Sequence, residues 1–235
     1  MRFAAIGDIH SNFEALKSVL EDIKLRNVDF ILNTGDMVGY APFPNEVITL
    51  IRENHVLSIQ GNYDKAIGSR ELVCGCDYRD PKQLETAALS VKFTNRMISD
   101  ENRSYLKNLP GNIRLSGGPK ILAVHGSPRR INEYLYEDSR EVQEVTQELT
   151  EDLLICGHTH IPYYKVINGK HVINVGSVGR PKHGNPHGTY TVVEIIGKEI
   201  QVGIIEVPYD VEKTAQAIEA DDTLPNEFAQ ILRCK

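Results

Sequence analysis

Apolar residues along the first sixty positions alternate between two kinds of spacing. Short apolar runs at Arg2 to Ile6, Phe30 to Asn33 and Val56 to Ile59 are typical of buried strands. Between them, apolar residues at helical spacing predict helices from Phe13 toward Asn27 and from Pro44 to Asn54. Strand, helix, strand, helix, strand with short connections indicates parallel pairing and right-handed crossovers, and therefore an α/β layered core.

The second half contains one long helical stretch followed by strands that indicate more antiparallel pairing. Asp80 to Leu109 has a helical period, and its expected inward residues are Leu84, Ala87, Ala88, Val91 and Met97. Further strands are predicted at Ile121 to Val124, Leu153 to Cys156, Tyr163 to Ile167, His171 to Asn174, Tyr190 to Ile195 and Ile200 to Glu206, with helices at Ser139 to Leu149 and Val211 to Ile218. No linker and no internal repeat divides the chain, so residues 1–235 are predicted to form one domain.

The composition is typical of a globular domain, with 41% hydrophobic and 25% charged residues. Its apolar runs fall far short of the roughly 20 residues of a membrane span, and the first run reaches Asp8 too early for a signal peptide. We therefore expect a cytoplasmic protein with no membrane partner. Its four cysteines are expected to stay reduced, with the pair in Cys74-Gly75-Cys76 incidental.

The charge distribution excludes one class of partner. A net charge of −6 without a cluster of Lys and Arg gives no electrostatic footprint for nucleic acid. Any phosphate that this chain binds must therefore be attracted by a local charge. The sequence does not indicate an oligomeric state.

Residues that can carry chemistry follow the predicted strands, where sheet-based folds gather side chains into a crevice. They occur in five segments: Gly7-Asp8-Ile9-His10, Gly35-Asp36, Gly61-Asn62-Tyr63-Asp64, His125-Gly126 and Gly157-His158-Thr159-His160. Each alone has an ordinary explanation, since an Asp after a strand commonly caps a helix or forms a turn. Together, the two aspartates, four histidines and one asparagine form a mixed ligand set that is too large for one tetrahedral zinc ion.

In order and spacing these motifs resemble the calcineurin-like metallophosphoesterases, whose pattern runs D-x-H, G-D, G-N-[H/C]-[D/E], H and G-H-x-H. The likeness spans Asp8 to His160. It extends through Asn174 to Pro181, a segment similar to one in the small bacterial and archaeal phosphodiesterase or diadenosine tetraphosphatase-like members. The resemblance implies a four-layer α/β/β/α sandwich of two mixed β-sheets flanked by helices. Within this domain the helical stretch of residues 80–109 is a candidate cap that sets substrate size.

The resemblance also implies a centre of two divalent metal ions. Position by position, it assigns one ion to Asp8, His10 and His160 and the other to Asn62, His125 and His158, with Asp36 bridging. This division fits the chemistry, because only a carboxylate spans two cations roughly 3.5 to 4 Å apart. Such mixed ligands accept Mn, Fe, Zn, Ni or Co, and manganese is the ion expected to support activity.

The implied reaction is metal-dependent hydrolysis of phosphate esters by in-line attack of a hydroxide shared between the ions, with Asp36, Asn62 and His125 in the catalytic centre. A phosphodiesterase acting on a small-molecule phosphate ester or nucleotide is the first expectation. The alternatives are a hydrolase of dinucleoside polyphosphates such as diadenosine tetraphosphate, a phosphoprotein phosphatase, and a catalytically lapsed module that binds metal and phosphate ligands.

The chain departs from the family pattern directly after Asn62. Tyr63 stands where many relatives carry a histidine that is thought to protonate the leaving group. Tyr63 either donates a proton from a phenol of pKa near 10 or packs and shapes the substrate site. We therefore expect weak action on ordinary alkyl monoesters. Asp64, which in such relatives orients the histidine, is expected instead to hold a ligand in place.

Four residues are candidate substrate contacts. Asn12 is either the cap of the first helix or a phosphate-binding amide, and Ser11 is the competing cap. Arg180 is expected to bind phosphate oxygens through its guanidinium group. His183 is a candidate proton donor. Tyr40 either stacks on a base as an exposed aromatic or packs between its loop and the following helix.

Overall fold

The computed structural model describes residues 1–76 and 80–234, and its elements follow the predicted alternation. The strands are β1 (Arg2–Ile6), β2 (Phe30–Asn33), β3 (Leu57–Ser58), β4 (Asn112–Leu115), β5 (Ile121–Val124), β6 (Leu153–Cys156), β7 (Tyr163–Ile167), β8 (Lys170–Asn174), β9 (Gly188–Ile196) and β10 (Glu199–Val207). The helices are α1 (Phe13–Lys24), α2 (Pro44–Glu53), α3 (Asn62–Gly68), α4 (Pro81–Met97), α5 (Asp100–Lys107), α6 (Arg140–Glu148), α7 (Val211–Glu219) and α8 (Glu227–Leu232).

The strands form two five-stranded mixed sheets. The first has the order β10-β9-β1-β2-β3, in which β1 is parallel to β2 and antiparallel to β9. The second has the order β4-β5-β6-β8-β7, in which β5, β6 and β8 are parallel and the two edge strands are antiparallel to their neighbours. The parallel strands are β1, β2 and the edge strand β3 in the first sheet and the three central strands in the second. Within each sheet their carboxyl ends lie at the same edge.

Side chains that point alternately to the two faces of each strand pack the elements into four layers. On β1, Ala4 and Ile6 pack in the core that also contains α1, whereas Phe3 and Ala5 pack in the core between the two sheets. Alternate residues of β5 are divided in the same way, between the inter-sheet core and a third core against α6. Side chains on a strand point to opposite faces in turn, so an all-apolar strand must be covered on both sides. The predicted four-layer sandwich is confirmed.

The long helical stretch from residue 80 to 109 is two helices rather than one. The chain leaves α4 at Ile98 in an extended conformation, and the Ser99 hydroxyl accepts a hydrogen bond from the Asn102 N–H at 3.2 Å and so begins α5. The prediction of Leu84 and Met97 as inward residues is wrong, because they are 46% and 42% exposed. The sequence analysis also omitted α3, β4 and α8, which are short elements with weak periodicity.

The expectation that all cysteines stay reduced is contradicted at one place. Cys74 and Cys76 are joined by a disulfide, and Gly75, at φ 70°, turns the chain between them. Cys156 and Cys234 are free. Over the described ranges, none of the helices is both long and apolar enough to span a bilayer.

Candidate metal centre

The predicted ligands converge at the edge where the parallel strands of both sheets end. Asp8, Asp36 and Asn62 follow the three parallel strands of the first sheet, and His125 and His158 follow β5 and β6 of the second. All seven side chains are at most 4% exposed: Asp8, His10, Asp36, Asn62, His125, His158 and His160. Buried polar groups at this density require partners, because each one loses its hydration on folding.

Five of the seven ligands have a left-handed backbone conformation. Their φ angles lie between 50° and 65°, and the residues are Asp8, His10, Asp36, His158 and His160. This region is uncommon for residues with a Cβ, and such strain of about 1–3 kcal/mol per residue concentrates at functional sites. The tight turns aim each side chain back over the end of its strand. The sequence motifs therefore encode a strained local geometry and not only a set of ligand types.

One group of ligands consists of Asp8, His10 and His160. The Nε2 atoms of the two histidines lie 3.1 Å apart, and the His160 Nε2 lies 3.3 Å from the Asp8 Oδ1. The His10 Nε2 lies 3.9 Å from the same Oδ1. One nitrogen or oxygen from each residue therefore faces a common point.

The second group is formed around His125. Its Nε2 lies 2.9 Å from the Asn62 Oδ1, 3.1 Å from the His158 Nδ1 and 3.5 Å from the Asp36 Oδ2. The Asn62 amide nitrogen donates to the Cys74 carbonyl at 2.9 Å, which leaves the amide oxygen facing the histidines. The second group thus offers two imidazole nitrogens, one amide oxygen and one carboxylate oxygen.

Asp36 joins the two groups. Its Oδ2 lies 3.5 Å from the His125 Nε2 and 3.9 Å from the His10 Nε2, which belong to different groups. Its Oδ1 accepts a hydrogen bond from the Tyr63 N–H at 2.8 Å, and this fixes the orientation of the carboxylate. A single oxygen positioned between two ligand groups is the arrangement that a bridging carboxylate requires.

Hydrogen bonds outside the two groups orient the ligands. Three histidines place their Nδ1 atoms against backbone carbonyls: His10 against Val38 at 3.2 Å, His125 against Thr34 at 2.9 Å and His160 against Arg180 at 2.6 Å. An Nδ1–H that donates to a carbonyl leaves the Nε2 lone pair available for a cation. These carbonyls have no signature in the sequence, because every residue carries one.

Asp64 acts on the ligands through the backbone. Its carboxylate accepts hydrogen bonds from the N–H groups of Asp36, Met37 and Gly61 at 2.8, 2.9 and 3.0 Å. It thereby holds the turn that carries Asp36 against the start of α3. Burial raises the pKa of Asp64 to about 6, although the backbone N–H groups favour its ionised form.

The electrostatics of the site favour a bound cation. Burial raises the pKa of Asp8 to about 6, and burial with the charges of Asp64 and Asp8 raises the pKa of Asp36 well above its usual value. Burial and neighbouring positive groups lower the pKa of His10, His158 and His160 well below the usual value. Burial therefore opposes ionisation of the carboxylates and protonation of these imidazoles, and a bound cation would favour the charged carboxylate and the neutral imidazole.

The donor set fits two divalent metal ions. The Asp8 Oδ2 accepts the His158 N–H at 2.9 Å, whereas its buried Oδ1 has no hydrogen-bond partner within residues 1–76 and 80–234. An unpaired buried carboxylate oxygen is costly unless a cation occupies the point that it faces. Mixed imidazole, carboxylate and amide donors match divalent transition metals.

Two candidate substrate-binding side chains, those of Asn12 and His183, form hydrogen bonds within the protein. The Asn12 Oδ1 caps α1 through the Ala15 N–H at 3.2 Å, and its amide nitrogen donates to the Gly179 carbonyl at 2.9 Å and the Tyr209 hydroxyl at 3.0 Å. This amide has no remaining hydrogen for phosphate, and Asn12, not Ser11, is the cap. The His183 Nε2 is 3.0 Å from the Asn185 Oδ1.

Tyr40 and Tyr63 are both buried. Tyr40 is 5% exposed, which agrees with the packing alternative, and its contact with a substrate stays a prediction. The Arg180 guanidinium covers the Tyr40 ring at 4.1 Å from its centroid. Tyr63 is 1% exposed, and its ring meets those of His10 and Tyr40 at centroid distances of 5.4 and 5.0 Å.

Sequence reasoning missed two residues beside the ligands. The Tyr134 ring stacks on the His158 imidazole with centroids 4.2 Å apart. The Lys182 N–H donates to the His160 carbonyl at 3.2 Å. Neither residue lies in a ligand motif, and only the folded chain brings Tyr134 against His158. In the sequence, Lys182 could have been recognised as a second positive charge near the site only from its position two residues after Arg180.

Comparison with known proteins identifies the family of the chain. The description "calcineurin-like phosphoesterase superfamily domain" matches residues 1–198. An uncharacterized protein, MJ0912 of Methanocaldococcus jannaschii, is 35% identical over 236 residues, covering 92% of this chain and 90% of that protein.

Solved structures resemble the whole chain. The metallophosphoesterase from Sphaerobacter thermophilus superposes with a TM-score of 0.81 at 30% identity, covering 99% of this chain and 98% of that one. The hypothetical protein PH1004 from Pyrococcus horikoshii gives a TM-score of 0.84 at 26% identity, with 99% and 97% covered.

Proposed function

The chain belongs to the calcineurin-like phosphoesterase superfamily, and we propose that it is a metal-dependent phosphoesterase with two ions, acting as a phosphodiesterase. One observation supports the proposal above all others. The Asp36 Oδ2 lies within 4 Å of a histidine nitrogen from each ligand group. Two separate metal sites would not need a shared carboxylate.

The residues that would hold the ions are those of the two groups, with Asp36 between them. Divalent ions there would supply Lewis acidity toward phosphoryl oxygens and acidify coordinated water, which is the chemistry of phosphate-ester hydrolysis. Manganese is the ion proposed for activity, because imidazole and oxygen donors accept it and other divalent metals. The chain supplies orientation, through the carbonyl-anchored histidines and through Asp64.

Arg180 is proposed to contact the substrate. Its guanidinium lies over the Tyr40 ring, and the centroid of that ring is 4.9 Å from the centroid of the His10 imidazole. Only the Tyr40 side chain therefore separates the Arg180 guanidinium from the predicted metal ligand His10. A fixed guanidinium binds phosphate oxygens in pairs and so would position a phosphate group of the substrate. This role requires no proton transfer by the protein.

A diester with a good leaving group suits this site better than an alkyl monoester. Departure of an alkoxide requires a proton, and Tyr63, at the position of the family histidine, is buried and packed. An aryl oxide or a phosphate leaves without one. Tyr63 is therefore proposed to shape the site.

The proposal is tested by reconstituting the protein with Mn²⁺ and measuring hydrolysis of an aryl phosphodiester, an aryl phosphomonoester and diadenosine tetraphosphate. Asp36→Asn removes the bridging charge and is expected to lower turnover by at least 10³-fold and to reduce the bound metal, because two ions lose their shared ligand. Asp222→Asn, at an exposed position outside the site, is the matched control and should retain both.

The possible outcomes distinguish between the hypotheses for the function. Turnover that requires metal, is fastest on the diester and is lost in Asp36→Asn supports the proposal. Wild-type turnover and metal content in Asp36→Asn would eliminate the bridged centre. Faster release of nucleotides from diadenosine tetraphosphate would replace the diesterase with a polyphosphate hydrolase.

A further inference from the structure

A small cavity of about 140 Å³ lies beside the metal centre. It is enclosed by α4, by α8 and by the loop between β8 and β9. The residues that carry the argument are Arg180 and Lys182 from the loop, Gln83 and Thr86 from α4, and Glu227 from α8. Arg180 and Tyr40 also line a neighbouring small cleft whose lining includes His10, so the Arg180 side chain borders both spaces.

Arg180 differs from every other arginine in the described ranges. Each of the others donates to a carboxylate, hydroxyl or carbonyl; Arg103, for example, binds the Ile67 carbonyl and Asn95. The guanidinium of Arg180 has no such acceptor within residues 1–76 and 80–234 and only lies over the Tyr40 ring. Five donors on a half-buried cation are thus available to a ligand.

Lys182 adds a second charge at the same cavity. No carboxylate of the described chain lies within 4 Å of its ammonium, whereas Glu227, the one acidic lining residue, pairs with Lys82 at 3.5 Å. The Lys182 N–H holds the His160 carbonyl, and the Arg180 carbonyl faces the His160 Nδ1. The backbones of both Arg180 and Lys182 thus contact His160, a predicted metal ligand. They place two positive charges beside it in a chain whose net charge is −6.

We propose that this Arg180–Lys182 cavity is an anion subsite that holds a second, non-reacting phosphate group of the substrate, with Gln83 and Thr86 as polar partners from α4. The inference rests on the proposed function, because it places the reacting phosphate at the metal centre. It assigns the substrate class as phosphate esters that carry another phosphate. It also gives α4 a role in substrate selection, since this helix supplies one wall of the subsite.

The test uses a matched pair of chromogenic diesters, the p-nitrophenyl ester of thymidine 5′-phosphate with and without a 3′-phosphate. Both release p-nitrophenolate, so only the second phosphate differs. The wild-type protein, loaded with Mn²⁺, is expected to have at least a tenfold lower KM for the bisphosphate. Lys182→Gln should raise that KM about tenfold or more, because a charge-assisted contact is lost. The KM of the ester without a 3′-phosphate should rise by a factor at least fivefold smaller. Lys182→Arg should restore the preference, and Lys198→Gln, in the exposed β9–β10 turn, should leave both esters unchanged.

Calorimetry on the metal-free protein separates this inference from the proposed function. Thymidine 3′,5′-bisphosphate is expected to bind at least tenfold more tightly than thymidine 5′-phosphate, and Lys182→Gln should abolish the difference while the thermal midpoint stays within about 2 °C. Equal affinities, or a difference that survives Lys182→Gln, would overturn the subsite. Absence of turnover with both esters, together with the calorimetric preference, would instead refute the proposed hydrolysis and leave the subsite standing.

Discussion

Tyr63 shows what a single substitution in a motif does to a site. It occupies the position of the family histidine, yet its backbone N–H still donates to the Asp36 Oδ1 and its ring fills the space beside His10 and Gly39. Its neighbour Asp64 keeps its carboxylate on the backbone of Asp36 and Met37. The position therefore retains its structural function whatever its side chain does in catalysis.

Replacing Tyr63 with Phe is expected to leave turnover of an aryl diester within about threefold of wild type. The ring packing is preserved, and an aryl oxide leaves without a proton. Steady-state rates for an aryl and an alkyl ester, compared at one metal concentration, provide the measurement. A loss above about 100-fold that is confined to the alkyl ester would assign Tyr63 as the general acid.

The turns at the strand ends are the elements that set the ligand positions. Gly61 ends the connection from β3 and lies directly against the turn that carries Asp36. A Cβ at Gly61 would overlap the Oδ1 and N atoms of Asp36. The φ angle of Gly61 is −87°, so a side chain there is excluded by this close approach and not by the backbone conformation.

Gly61→Ala is therefore expected to displace Asp36 and to destabilise the fold by about 1–3 kcal/mol, the usual cost of overpacking. Metal content should fall with it. Gly203→Ala, in β10 where a Cβ would meet no atom within 4 Å, is the matched control and should change neither property. Urea unfolding with metal analysis checks both variants, and a Gly61→Ala protein that binds two ions as tightly as wild type would contradict the expectation.

The turn after His125 is held by a buried carboxylate. Glu133 is 6% exposed, and its carboxylate accepts hydrogen bonds from the Ser127 hydroxyl and from Arg129. The Arg129 guanidinium nitrogen lies 2.8 Å from the Glu133 Oε1. Burial opposes ionisation of Glu133, but the bonds from Arg129, Ser127 and Arg130 outweigh it and lower the pKa. A carboxyl group with a lowered pKa stabilises the fold above the unfolded-state pKa and loses that contribution as the pH falls through the folded-state pKa.

Glu133→Gln is accordingly expected to lower the free energy of unfolding by about 1–2 kcal/mol at neutral pH. The difference from wild type should be constant above about pH 5.5 and should shrink below about pH 4.5, where the unfolded carboxyl group also protonates. Urea titrations at several pH values measure it. A difference that grows on acidification would show the sign to be wrong.

Across the whole molecule, the metal centre connects the two sheets. In each ligand group, residues after strands of the first sheet meet residues after strands of the second: Asp8 and His10 meet His160, and Asn62 meets His125 and His158. Bound ions would therefore link the sheets at the edge where apolar contacts between them end. Without the ions, buried carboxylates oppose the same contact.

Removing the metal should consequently destabilise the entire fold. At a hundredfold excess over the dissociation constant, each ion adds about 2.7 kcal/mol, and two ions should raise the thermal midpoint by roughly 10–20 °C in a chain of this length. Scanning calorimetry of the Mn²⁺-loaded and chelator-treated protein measures this shift. Identical midpoints in the two samples would show that the centre holds no ion in solution.

The sequence by itself determined the order of the longer strands and helices, the α/β layering and the ligand types, because burial imposes periods of 2 and 3.6 and the motifs follow strands. It did not separate α4 from α5, since the break at Ile98 and Ser99 depends on a local cap. It left Tyr40 between an exposed and a packed position, because nothing in the local sequence shows that Arg180 and Phe228 cover the ring.

Only the tertiary structure decided how those ligands meet and which other groups serve them. The shared position of the Asp36 Oδ2, the carbonyls that orient the histidines and the placing of Arg180 over Tyr40 beside Lys182 all depend on contacts between segments far apart in sequence. Residue types and spacing are properties of the chain and can be found by inspection. Which atom faces which other atom is fixed by packing of the two sheets and the turns between them.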